Sequence, residues 1–180
     1  MISRKYSGDY RLVDNVTERG GIRTEAEYVG GDYFFCSGRE TAARLGARLT
    51  ALSLALCACY VAALLPRSGA SRVMYAVLPF AFSALPLGFL TGSSLALLRA
   101  REPLRRETAD KISHRLPACA LWALILSAAG LLGEGAAALS GDGRMLWGDI
   151  VFSVCAAAIA GGSGLVFSRR SLLRTEERKK

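Results

Sequence analysis

From Val73 to Leu98 the chain reads VMYAVLPFAFSALPLGFLTGSSLALL, 26 residues without a charge. A hydrocarbon layer about 30 Å thick is crossed by roughly 20 helical residues. Lipid offers the backbone no hydrogen-bonding partners, so a segment of this kind must satisfy its N–H and C=O groups internally, as a helix does. A chain of 180 residues built around such a run is expected to be an integral membrane protein.

Three further runs follow the same logic. Leu49–Leu65 is uncharged over 17 residues and lengthens if Arg48 snorkels to the head groups; Pro66 ends it. The third run starts at Pro117 and is broken only by Glu134. The fourth, Ile150–Ser168, has 19 residues. The expected class is therefore an all-α membrane protein, a four-transmembrane-helix bundle with spans near residues 45–65, 73–98, 117–138 and 150–168 within a 38–168 domain. Pro79 and Pro86 each remove a backbone donor and should bend the second span.

Charge is 21% of the chain although 52% is hydrophobic, so the charges must be segregated into blocks. Counting Lys and Arg orients those blocks. Eight lie up to Arg48, six in the 99–116 loop and six in the 169–180 tail, which is 20 of 23; only Arg67, Arg72 and Arg144 fall on the other side. By the positive-inside rule both termini are expected in the cytoplasm, in a multi-pass cell-membrane protein. The net charge of +8 then points to anionic lipid head groups, with Arg44, Arg48, Arg105, Arg106, Arg169 and Arg170 as the expected contacts. No aromatic residues interleave with the basic ones, so nucleic acid is not an expected partner.

Residues 1–37 form a polar cytoplasmic segment. Tyr10–Val16 and Ile22–Tyr28 read as strands, with Glu18-Arg19-Gly20-Gly21 as turn chemistry between them, giving a β-hairpin. Tyr33-Phe34-Phe35 follows a second turn signal. A lone hairpin is marginal in water, so it should lean on the membrane surface or the cytoplasmic loops. Ser37-Gly38-Arg39-Glu40 fits a capping box that opens the first span. In the 99–116 loop a short helix is expected, with Glu107 and Lys111 paired and Leu104, Ile112 and Leu116 giving it an apolar edge along the interface.

Between helices in lipid, small residues allow the close approach that packing needs. Ala84, Gly88, Gly92 and Ala96 recur every four residues and make the expected helix-packing face, within the bundle or in a homodimer. Similar stripes run through Ala47, Ala51, Ala55, Cys59 and Ala63, through Ala129, Gly133 and Ala137, and through Ala156, Ala160, Gly164 and Ser168.

Chemistry is sparse. The five cysteines form no CxxC pair, and His114 has no second ligand beside it, so neither metal nor cofactor is expected. Glu134 is the one carboxylate that could lie at membrane depth, where it would be a coupling group; at the outer interface it would instead sit near Arg144 or Asp149. The expected role is a non-enzymatic accessory or interaction protein, with a membrane-protein partner or a second copy. The alternative is a small transporter or channel component using Glu134. Third is a membrane thiol-redox protein using Cys57, Cys59 and Cys155. Reporter fusions after Gly69 and after Gly143 test the topology. Both are expected to read as external, and a cytoplasmic signal at either point excludes four spans.

Overall fold

The computed structural model describes residues 4–16, 22–36, 39–66, 74–99, 104–140 and 147–178. The Glu18–Gly21 turn, the Ser37 cap and Arg144 lie outside these residues. Strands β1 (Tyr10–Val16) and β2 (Ile22–Tyr28) pair antiparallel, Tyr10 opposite Tyr28 and Val16 opposite Ile22, as the alternating pattern requires. β3 (Asp32–Phe35) follows, then α1 (Arg39–Leu64). The second span is divided into α2 (Met74–Phe82) and α3 (Ala84–Arg99). α4 (Arg106–Asp110) leads through a π-helical turn, Lys111–Arg115, into α5 (Leu116–Ser140). α6 (Trp147–Ser168), a 3₁₀ turn at Arg170–Leu173 and β4 (Thr175–Arg178) complete the chain. Four helical stretches are long and apolar enough to cross a membrane: Ala43–Leu64, Met74–Arg99, Arg106–Leu139 and Trp147–Ser168.

The break in the second span sits at Ser83, three residues before Pro86. Pro86 has no N–H for the Phe82 carbonyl and its ring crowds that turn. Ser83 keeps the chain hydrogen-bonded through the break: its N–H reaches the Pro79 and Phe80 carbonyls, its hydroxyl also donates to Phe80, and its own carbonyl accepts from Leu87 N–H. The bend lets the two halves take different neighbours. α2 packs chiefly on α5, whereas α3 packs on both α1 and α5. With α6 against α1 and α5, the spans form a closed square of antiparallel neighbours.

The buried seams repeat at three and four residues. In α5 they are Leu116, Ala120, Ala123, Ser127, Gly130 and Glu134; in α6, Asp149, Phe152, Ala156, Ile159, Ser163 and Val166. This is the spacing of one helix face. α1 buries Leu45, Leu49, Ser53, Leu56 and Ala63, and Phe80 bridges α1 to α6, stacked on Tyr60 with ring centres 5.0 Å apart and tilted against Phe152 at 4.6 Å. The outer surface is equally apolar, with Leu54, Phe82, Phe89, Trp122, Leu132 and Val154 all exposed. Lipid, not water, is the solvent such a surface fits.

Two of the small-residue stripes turn mostly away from the bundle's interior, although Ala63, at the end of the first, is buried. Ala47, Ala51 and Ala55 face outward, because the leucines one turn-edge away fill the seam better. Ala84, Gly88 and Gly92 are also exposed, and a Cβ placed on Gly88 or Gly92 would meet nothing within 4 Å. The α3 seam is instead Leu87, Leu90, Ser94 and Leu97. Close approach falls on other glycines. A Cβ on Gly133 would lie 2.9 Å from the Ala76 Cα, and one on Gly46 would lie 3.2 Å from the Leu98 Cα. Both neighbours are backbone and cannot swing away.

The 99–116 region also departs from expectation. Its helix does not lie along the interface; it continues unbroken into the third span. Pro117 leaves the Ser113 carbonyl without an i+4 donor, and the wider π turn just before it absorbs the misfit. Leu104, Ile112 and Leu116, expected as an interfacial edge, are buried. The Glu107–Lys111 pair forms as expected, at 2.7 Å.

The glycine contrast sets a stability test. Gly133→Val should lower unfolding free energy by about 2 kcal/mol through overpacking, while Gly92→Leu should change it by less than about 0.5 kcal/mol. Thermal unfolding of the purified protein in detergent reads both, and equal losses would contradict this packing.

Candidate functional site

Glu134 projects from the last two turns of α5, the end from which the chain crosses to α6. It is 3% exposed, and Asp149, in the first turn of α6, is 7% exposed. The two side chains are hydrogen-bonded to one another. Glu134 Oε2 has no partner among the described residues. The pair is thus a two-carboxyl site closed between α5 and α6 at the end of the bundle opposite the strands. The seam places Glu134 there because it is seven residues, two turns, past Ser127 on the same face.

Other buried polar groups are mostly turned onto their own helices. The hydroxyls of Ser53, Ser83, Ser94, Ser127 and Thr91 donate to carbonyls three or four residues back. Thr50 Oγ1 and Ser163 Oγ are without partners among the described residues. Cys57 Sγ meets Thr91 Oγ1 at 3.3 Å, and Cys59 neighbours Cys155 across α1 and α6, but all five thiols are free. No group of three His, Cys, Asp or Glu side chains gathers among the described residues.

The opposite end is a clasp. β3 pairs antiparallel with β4, Asp32 opposite Arg178 and Phe35 opposite Thr175. On its other side β3 bridges to the 99–116 region: Tyr33 N–H donates to the Leu104 carbonyl at 3.1 Å and Leu104 N–H donates to the Tyr33 carbonyl at 2.9 Å. Beneath the strands Phe35, Leu104, Ile112, Leu116 and Leu173 are buried. The 169–180 tail, expected only as a basic extension, therefore carries a strand. At its end the Cys36 thiol is raised above its ordinary pKa by desolvation and by the facing Glu176 carboxylate.

The hairpin docks on this clasp. Tyr28 hydroxyl donates to the Gly31 carbonyl and accepts from Arg106 N–H at 3.0 Å. Arg106 pairs with Asp9 at 3.5 Å, and the Arg105 guanidinium lies 5.8 Å from the Tyr28 ring centre. Arg105 and Arg106, expected on lipid, are thus engaged in holding the hairpin. Arg44, Arg48, Arg169 and Arg170 are exposed, with Arg170 stacked over Phe167 at 4.5 Å. The expected small-residue face of α3 proves to line a cleft of about 510 Å³ against α5. Its residues Lys111, Arg115 and Trp122 had no signal tying them to Gly88 in one dimension.

No family model matches the chain, and neither a curated protein nor a solved structure does.

Removing one carboxyl should reveal what the pair does for the fold. Glu134→Ala leaves Asp149 facing an apolar gap and is expected to cost about 2 kcal/mol. Glu134→Gln keeps a hydrogen bond and should cost under about 1 kcal/mol. Unfolding of both variants in detergent checks this, and an unchanged Glu134→Ala midpoint would show the pair is not structural.

Proposed function

We propose that this chain is a multi-pass protein of the cell membrane, with both termini in the cytoplasm, that acts by binding a partner protein rather than by catalysis. The observation that carries this reading is the clasp. Three segments distant in sequence are joined at one end of the bundle, and the hairpin is fixed on them through Tyr28 and Asp9. In the sequence, the segments on that side of the four spans hold 20 of the 23 Lys and Arg residues, which supports the cytoplasmic assignment.

A fixed hairpin offers a docking edge. Neither strand of the β1–β2 sheet has a second neighbour among the described residues, and an unpaired strand edge is a template for an added strand. Leu12 stands opposite Ala26, and both are exposed, Leu12 at 73%. An exposed apolar cross-strand pair on an ordered platform fits a partner contact better than it fits water.

A second reading rests on the carboxyl pair: a proton-coupled transporter or channel component in which Glu134 and Asp149 share and pass a proton. Its support is the buried Glu134–Asp149 contact at the end of α5. The hydroxyls turned onto their own helices weigh against it, since a translocation path needs polar groups that face one another.

The two readings separate in paired measurements on the full chain. After cross-linking in native membranes, affinity purification is expected to recover one protein in near-stoichiometric yield, and Leu12→Glu should abolish that recovery while the bundle stays folded. In liposomes with an entrapped pH dye, the purified chain should dissipate a proton gradient no faster than empty vesicles. A gradient that collapses with wild-type protein and persists with Glu134→Gln would replace the binding reading with the transport one.

A further inference from the structure

The cleft between α3 and α5 is lined by Gly88, Phe89, Gly92, Ser93, Trp122 and Cys119 along its length, with Lys111 and Arg115 at one end. Its floor is the glycine face of α3, where a Cβ would meet nothing within 4 Å. Its walls include Phe89 and Trp122, both more than half exposed to the bundle's surroundings. Ser93 is 9% exposed and turns into the cleft, and its hydroxyl makes no hydrogen bond among the described residues. The cleft thus opens sideways into the apolar layer and ends at two cations on the π turn.

We propose that this cleft binds one anionic glycerophospholipid of the leaflet at the basic end, its acyl chain over Gly88 and Gly92 and its phosphate on Arg115 and Lys111. Length fits this occupant. Arg115 and Trp122 are seven residues apart on one helix, about 10 Å, and Gly88 is about 16 Å from the α3 terminus at Arg99. One leaflet of hydrocarbon is about 15 Å deep. Charge fits it as well. Lys111 already bonds Glu107, which holds its ammonium at the mouth, while Arg115 is exposed with no ion pair among the described residues. Arg presents a forked donor set suited to phosphate. The Ser93 hydroxyl, deeper in, is suited to an ester carbonyl.

A second copy's helix is the competing occupant, because Gly88 and Gly92 have the spacing of a helix-dimer motif. The space disfavours it. A helix with side chains is about 10 Å across, so a cleft of about 510 Å³ would admit only about one turn. The glycines lie on the floor of a groove walled by a neighbouring helix of the same chain, not on a ridge that two copies could share.

The chain's two tryptophans make the site readable. In a Trp147→Phe background, Trp122 is the sole tryptophan and is excited selectively over the tyrosines. The purified full chain is reconstituted into phosphatidylcholine vesicles containing either brominated phosphatidylglycerol or brominated phosphatidylcholine at equal mole fraction. Brominated phosphatidylglycerol is expected to quench Trp122 at lower mole fraction, by roughly fivefold for each cation engaged. Arg115→Gln should remove most of that preference, and Lys111→Gln a further part. Gly92→Leu, which fills the floor, should reduce quenching by both lipids. Unfolding midpoints for each variant separate loss of the site from loss of the fold. Equal quenching by the two lipids, or a preference untouched by Arg115→Gln, overturns the proposal. So does a chain that runs as a dimer and becomes monomeric on Gly92→Leu without any dependence of quenching on lipid charge.

Discussion

Lipid does not push apolar helices together, because a leucine is as comfortable in acyl chains as against another leucine. The bundle therefore depends on van der Waals contact close enough to beat lipid packing. Two devices provide it. Gly133 on Ala76 and Gly46 on Leu98 bring backbones into contact at opposite ends of the second span. Between them the seams of α5 and α6 repeat at three and four residues, and Phe80 fills the centre against Tyr60 and Phe152. The bend at Ser83 makes both glycine contacts compatible. Without it, a straight second span could not follow α5 with its outer half and share its inner half between α1 and α5.

The same scarcity of drive explains the clasp. Where water begins, burial and backbone pairing recover their ordinary value. The chain uses them to join the N-terminal segment, the 99–116 region and the tail into one unit through β3, β4 and the Tyr33–Leu104 bridge. The N-terminal segment leads into the first span, the 99–116 region joins the second to the third, and the tail follows the fourth, so the clasp holds one end of all four helices. The hairpin that would be marginal alone is secured by Tyr28 and Arg106 to the start of the third span. Hairpin and bundle are mechanically one object.

What could be read from the residues divides along one line. Local patterns were legible. The uncharged runs, the two hairpin strands to the residue, the Glu107–Lys111 pair and the bend near Pro86 all follow from neighbours within a few positions. Contacts between distant segments were not. Glu176 and Glu177 carry no strand propensity, and only the edge of β3 makes a strand of them. The π turn arises from Pro117 acting four residues back on a helix that the charges at Lys111 and Arg115 seemed to end. The Gly88–Gly92 spacing is a true motif in the sequence, but spacing does not say which way a face points. Leu87, Leu90 and Leu97, interleaved with it, took the interior.

The orientation of α3 is informative about the second span as a whole. A helix in lipid must assign each face to a neighbour, to lipid or to a cavity, and bulky leucines win the interior when the facing helices are rich in alanine. Ala120 and Ala123 of α5 are fully buried, so the opposing seam supplies the small side of the contact. The glycines of α3 were then free to be placed where lack of a side chain matters in another way, opening space rather than closing it. A groove floored by glycine, walled by Phe89 and Trp122 and ended by Arg115 is what remains when small residues on an exposed face are not used for close packing.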